Sequence, residues 1–113
     1  MSDKISRADT LHFDREGFSG DVYVPNDQNQ GFNALLVDVN GRHPKKRVLE
    51  GNTRSYLVTR GQGVFTLDDT KHEVQEGDLF VIGAGSTYEY EGKMQLFEFN
   101  ISPDNSFGDE KLE

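Results

Sequence analysis

Residues 54–67, RSYLVTRGQGVFTL, and residues 74–90, VQEGDLFVIGAGSTYEY, decide the fold class of this chain. In both, Val, Leu, Phe, Tyr and Ile recur in short runs broken by glycine-bearing turns, and neither sustains a helical apolar period. The first reads as two strands joined at Gly61-Gln62-Gly63, where glycine supplies the positive φ of a tight turn. The second reads as strand, turn, strand, glycine-rich turn, strand.

Working outward, further strand candidates run from Asp21 to Val24, Asn33 to Val39, Thr87 to Tyr90 and Gln95 to Ile101. Turn residues at Gly31, Gly41, Gly51-Asn52, Asp68-Asp69, Gly77, Gly83 and Gly92 separate them at intervals of about ten residues, as a sandwich or barrel requires. About eight short strands in one chain of 113 residues predict a single all-β domain, a double-sheet jelly roll with little helix. Residues 1–31 are expected to form an N-terminal arm or edge strands, 32–101 the barrel core, and 102–113 a loose tail rich in short polar residues.

Composition narrows the function classes. There is no cysteine, hence no disulfide framework, and no apolar stretch of membrane-spanning length or signal-peptide region. The expectation is a cytoplasmic protein without a membrane partner. The net charge of -8 disfavours nucleic acid, whose binding relies on Lys and Arg neutralising phosphates. One segment departs from that balance: Arg42-His43-Pro44-Lys45-Lys46-Arg47 reads either as a solvated loop or as an anion-attracting rim beside a pocket.

The spacing of Gly41, Arg47, Leu49, Arg54 and Gly61, followed by Gly77, Gly83, Gly85, Tyr88 and Gly92, resembles the two signatures of the cupin family. The resemblance covers residues 32–101 and implies a cupin jelly-roll barrel. In metal-binding cupins two histidines and a glutamate of the first signature and a histidine of the second hold a divalent ion. Here those positions are Arg47, Leu49, Arg54 and Tyr88, and Gly83 and Gly92 replace the family's proline and asparagine. Guanidinium groups stay protonated and repel a cation, and none of His12, His43 and His72 falls at a ligand position, so no metal and no other cofactor is expected.

If the family positions face inward, strand alternation adds Tyr56, Val58 and Tyr90 to the lining, with Leu79 and Val81 as an apolar floor. The candidate ligand-binding residues are therefore Arg47, Arg54, Tyr56, Tyr88 and Tyr90. Either Gln95, Phe97 and Phe99 or Met94, Leu96 and Glu98 join them; alternation does not choose. An inward Arg54 is either paired with a carboxylate such as Glu98 or Glu50, or free to hold a ligand carboxylate or phosphate. The tyrosines are either barrel packing or a surface for a sugar or planar ring.

Three functions follow. The first is a metal-independent protein binding a small anionic or carbohydrate-like ligand in the barrel. The second, by analogy with cupin-type sugar-nucleotide epimerases and isomerases, is a metal-free enzyme, whose base would have to be a carboxylate such as Glu89 or Glu98. The third is a filled, structural barrel. A homodimer is expected in each case, and His43 and His72 are expected to be dispensable.

Overall fold

Three of the strands run straight through glycines that the sequence reading treats as turns. In the computed structural model, which describes residues 3–113, the chain forms β1 (Leu11–Arg15), β2 (Phe18–Val24), β3 (Phe32–Val48), β4 (Thr53–Leu67), β5 (Thr70–Val74), β6 (Leu79–Ile82), β7 (Thr87–Ile101) and β8 (Asp109–Lys111). Two single 3₁₀ turns, Arg7–Asp9 and Asn26–Gln28, are the helical elements among the described residues. All pairings are antiparallel, in the order β1-β2-β3-β7-β4-β5, with β6 on β4 and β8 on β3.

β7 is the spine. Along its whole length it is bordered by β3 on one side and β4 on the other, so Glu98 faces Leu35 and Tyr56, and Tyr88 faces Lys46 and Leu67. At its middle Gly92 is paired with Gly41 and Gly63, which sets three glycines abreast. A Cβ on Gly92 would lie 2.4 Å from the Gln62 carbonyl oxygen, and one on Gly63 would lie 2.3 Å from that of Glu91. Gly41 and Gly92 also adopt φ of 140° and 145°, which L side chains rarely tolerate. This crease lets three long strands fold over and serve both layers of the roll. Gly61-Gln62-Gly63 is therefore part of a bent strand, and the expected hairpin there is corrected.

The inner faces carry the core: Leu35, Val37 and Val39 of β3, Tyr56, Val58 and Phe65 of β4, Phe80 and Ile82 of β6, and Tyr88, Tyr90, Met94 and Leu96 of β7 are all buried. At about 25 cal/mol per Å² of apolar surface removed from water, each of these large side chains contributes roughly 1.5–3 kcal/mol. β1 and β2 extend the sheet beyond β3, and Phe13, Phe18 and Val22 pack against the core from there.

The expected loose tail is also corrected. Ser102 is fully buried, and its hydroxyl accepts hydrogen bonds from the Ser106 and Phe107 amides at 2.9 and 3.2 Å. The short polar residues thus build a turn, which returns the chain to pair Asp109–Lys111 with Lys46–Val48.

Candidate functional site

Which side chains enter the barrel is set by strand parity and by two irregularities. Odd-numbered residues of β3 face inward from Asn33 through Val39 to His43. A register shift between His43 and Lys46, spanning Pro44, which has no N–H to give a ladder, then turns Lys46 and Val48 inward. Arg47 and Leu49 consequently point out: Arg47 meets Glu110 at 3.4 Å on the surface, and Leu49 is 40% exposed. Their expected place in the lining is corrected. Leu79 and Val81 are corrected likewise, being 60% and 59% exposed, because pairing with Tyr56 and Arg54 puts Phe80 and Ile82 on the inner face. On β7 the inward set is Met94, Leu96 and Glu98.

Arg54 enters the barrel but is not free. One terminal nitrogen donates to Glu98 Oε2 at 3.2 Å and the other to Asp109 Oδ2 at 2.9 Å. Tyr88 donates its hydroxyl proton to the same Asp109 oxygen at 2.9 Å, and Lys46 Nζ lies 3.6 Å from the other carboxylate oxygen. Burial works against the charge of Arg54, but Tyr56, Tyr88, Glu98 and Asp109 outweigh it and hold the group protonated. Burial pushes the Glu98 carboxyl up, opposed by Arg54 and by the hydrogen bond from Asn100.

An amide relay links this network to the surface. Asn100 donates to Glu98 at 2.6 Å and to Asn33 at 2.7 Å, and Asn33 donates to Asn26 at 2.6 Å. Asn26, Asn33 and Glu98 line a cleft of about 380 Å³ together with Leu11, Val22 and Leu35. Within the network Arg54 Nε and Asn100 Oδ1 are buried without a hydrogen-bond partner among the described residues. Such orphans cost about 1–3 kcal/mol each unless a ligand or water satisfies them.

Beside the network sits His43, the residue that sequence reasoning placed in a loop. It is only 4% exposed, its ring 4.5 Å from that of Tyr90 at 21° and 5.5 Å from that of Tyr88 at 23°. Phe18 covers another side at 4.9 Å, and Tyr56 stands 5.5 Å from Tyr90. His43 Nδ1 is 2.8 Å from the Pro44 carbonyl, which can only accept, so the neutral ring carries its proton on Nδ1 and its lone pair on Nε2. Burial, with a lesser push from Lys46, lowers its pKa to about 4. Burial raises the phenols of Tyr56, Tyr88 and Tyr90 above the ordinary tyrosine value, so all three remain protonated hydrogen-bond donors. The signal for His43 was present: the alternation of Leu35, Val37 and Val39 reaches it once Gly41 is read as strand. His12 and His72 are surface residues.

A neutral imidazole, three phenols and a compensated cation can accept and return protons and bind hydroxyl groups. Among the described residues no group of three or more His, Cys, Asp and Glu is placed to hold a metal ion.

Comparison with known proteins extends this description. The family of AraC-like ligand binding domains matches residues 56–108. No curated protein sequence matches. Among solved structures, Streptomyces Pac13 in a histidine-to-glutamine variant with uridine superimposes at a TM-score of 0.85 and 19% identity, covering 100% of this chain and 92% of that one. Pac13 described as a unique nucleoside dehydratase gives 0.79 and 22%, covering 89% and 82%. KdgF from Halomonas sp. gives 0.74 and 14%, covering 89% and 94%. At these identities the likeness is one of fold.

Proposed function

This chain is a cupin-fold protein, and on that premise we propose that it is a metal-independent cupin that takes a small sugar- or nucleoside-like ligand into its barrel and acts on it by acid–base chemistry. The observation that carries the reading is His43, neutral and buried against Tyr90 with its Nε2 lone pair free of the Pro44 hydrogen bond. The chemistry it fits is removal of a proton beside a carbonyl, the first step of both elimination of water and isomerisation. His43 Nε2 takes the C–H proton; a tyrosine hydroxyl donates a hydrogen bond to the oxygen that gains charge. The imidazolium, acidic because the site disfavours its charge, then gives the proton to a departing hydroxyl or back to carbon.

Metal independence is supported by the donor set: the two carboxylates nearest the site, Glu98 and Asp109, are both occupied by Arg54, whose charge repels a cation. A hydroxyl-rich ligand is supported by the amide and carboxylate relay at the cleft. The uridine in the Pac13 structure and the dehydratase activity ascribed to that protein accord with the reading.

The protein is further proposed to be a homodimer. Leu79 and Val81 of β6, Leu57 of β4 and Phe97 of β7 form one outward face, on which Leu57 is paired with both Leu79 and Phe97. With Leu79 and Val81 some three-fifths exposed, a second copy would cover apolar surface that a monomer leaves in water.

The direct test is a thermal-shift titration with uridine, monosaccharides and divalent metal salts, since a ligand of the native state raises its apparent stability. A shift with uridine or a sugar and none with metals is expected. Stabilisation by metals alone would overturn the proposal.

A further inference from the structure

The Asp109 carboxylate sits where a ligand anion would. Three donors from three strands converge on it: Arg54 from β4 and Tyr88 from β7, both at 2.9 Å from one oxygen, and Lys46 from β3 at 3.6 Å from the other. Two cations and a phenol around one carboxylate make a built anion site, and its occupant comes from a strand of three residues on the sheet margin. The charges confirm the match: Arg54 and Lys46 balance Glu98 and Asp109, so Asp109 can leave this low-dielectric place only if another anion replaces it.

A second observation gives the anion a route. Lys46 and Lys111 line a cleft of about 710 Å³ with Arg15, Glu16, Arg42 and Phe18, so a protein of net charge -8 gathers four cations against one carboxylate around one opening. Phe18 on its wall is in contact with His43. Here too the chain's own end supplies the counter-charge, for Glu113 bonds Arg42 and the Leu112 amide donates to the Lys45 carbonyl at 3.0 Å. The C-terminal segment thus lies along the basic rim as a strap of carboxylates.

We propose that Lys46, Arg54 and Tyr88 form a subsite for a phosphate or carboxylate group of the ligand, and that Asp109 fills it as a self-supplied stand-in until such a group displaces β8. This rests on the barrel being a ligand site and specifies which ligands it takes: those with an anionic group beside the part that reaches His43. A neutral nucleoside would bind with the strap closed, a phosphorylated one with it displaced.

The test measures inorganic phosphate binding by calorimetry, against chloride at equal ionic strength, on the full chain and on Asp109→Ala. The variant should bind phosphate about tenfold more tightly than the wild type, because no internal carboxylate competes. Adding Lys46→Gln should remove the gain. In the wild type, saturating phosphate should speed hydrogen exchange at the Leu112 amide, which needs no variant to fold. Equal phosphate affinity in wild type and Asp109→Ala, or an unaltered Leu112 exchange rate with phosphate bound, overturns the proposal. Uridine and uridine 5′-monophosphate run in parallel separate the two readings. If neither binds while the phosphate gain appears, the subsite stands and the nucleoside reading falls; if uridine binds and the phosphate gain is absent, the reverse holds.

Discussion

His43 and Tyr90 are directly paired across β3 and β7, and their rings lie nearly parallel at 4.5 Å, which places a neutral imidazole against a phenol in the centre of the barrel. Removing either ring leaves a void between strands that cannot collapse without breaking the ladder. His43→Ala should therefore cost about 3 kcal/mol of stability, measured by denaturant unfolding, where the sequence alone suggests a silent change. His43→Gln, which keeps more of the volume, should fold, retain ligand binding and lose turnover.

The same residue sets an acid-sensitive window. Its folded value near 4 lies below the ordinary 6.5, so between those limits the unfolded chain binds more protons than the native one. The stabilising contribution is complete above pH 6.5 and is lost as pH falls toward 4, by about 3 kcal/mol in all at 1.36 kcal/mol per pH unit. Glu98 acts in the opposite sense: its carboxyl is raised by burial, and protonating it in acid favours the native state. Unfolding free energies of wild type and His43→Gln across this range should converge at low pH; parallel curves would rule His43 out as the source.

Arg54→Ala should destabilise the protein by about 3–5 kcal/mol, because it strands the buried Glu98 without its cation and leaves Asp109 only Lys46 and Tyr88. Of the two states that the sequence leaves open for Arg54, paired or free, the structure shows the paired one. Combining it with Glu98→Gln should recover part of the loss in the same unfolding assay; an additive loss would mean that the ion pair is not what holds Arg54.

Gly92→Ala should cost more than about 4 kcal/mol, since its methyl group would lie 2.4 Å from the Gln62 carbonyl in a backbone conformation closed to alanine. Gly85→Ala is the control: it also has positive φ, 88°, but nothing stands within 4 Å of the new carbon, and its cost should be about 1 kcal/mol. Melting temperatures of the two variants compare them directly.

Leu79→Glu should turn a dimer into a monomer by sedimentation while leaving the melting profile cooperative, because the side chain points away from the core. A wild type that already sediments as a monomer removes the dimer from consideration.

What the sequence made legible was local. Alternation along Leu35 to Val39 and Arg54 to Val58 identified strands, because period two is a property of each segment by itself; the inward sense of Tyr56, Tyr88 and Tyr90 came from the resemblance to cupins, whose ligand positions alternation then extended. What it hid depends on neighbours. Glycine's freedom at φ above zero serves a hairpin and a creased strand equally well, and only the approach of Gly41, Gly63 and Gly92 distinguishes them. Pro44 marked an irregularity in a strand, but the direction of the slip, which sends Arg47 out and Lys46 in, is fixed by pairing with Tyr88. Asp109 was missed because a polar tail gives no periodicity from which to read a docked strand.

The crease also bears on how the chain reaches this state. β7 is the last long strand to emerge from a ribosome, yet it is the partner that both β3 and β4 require along their whole length. Before it arrives β3 can pair only with β2, and β4 only with β5 and β6, so each lacks its long partner. With contacts so distant in sequence, refolding belongs in the millisecond-to-second regime of non-local β proteins. The docking of one glycine-centred strand between two waiting ones is then the slow event, and its earlier neighbours remain open edges until it arrives.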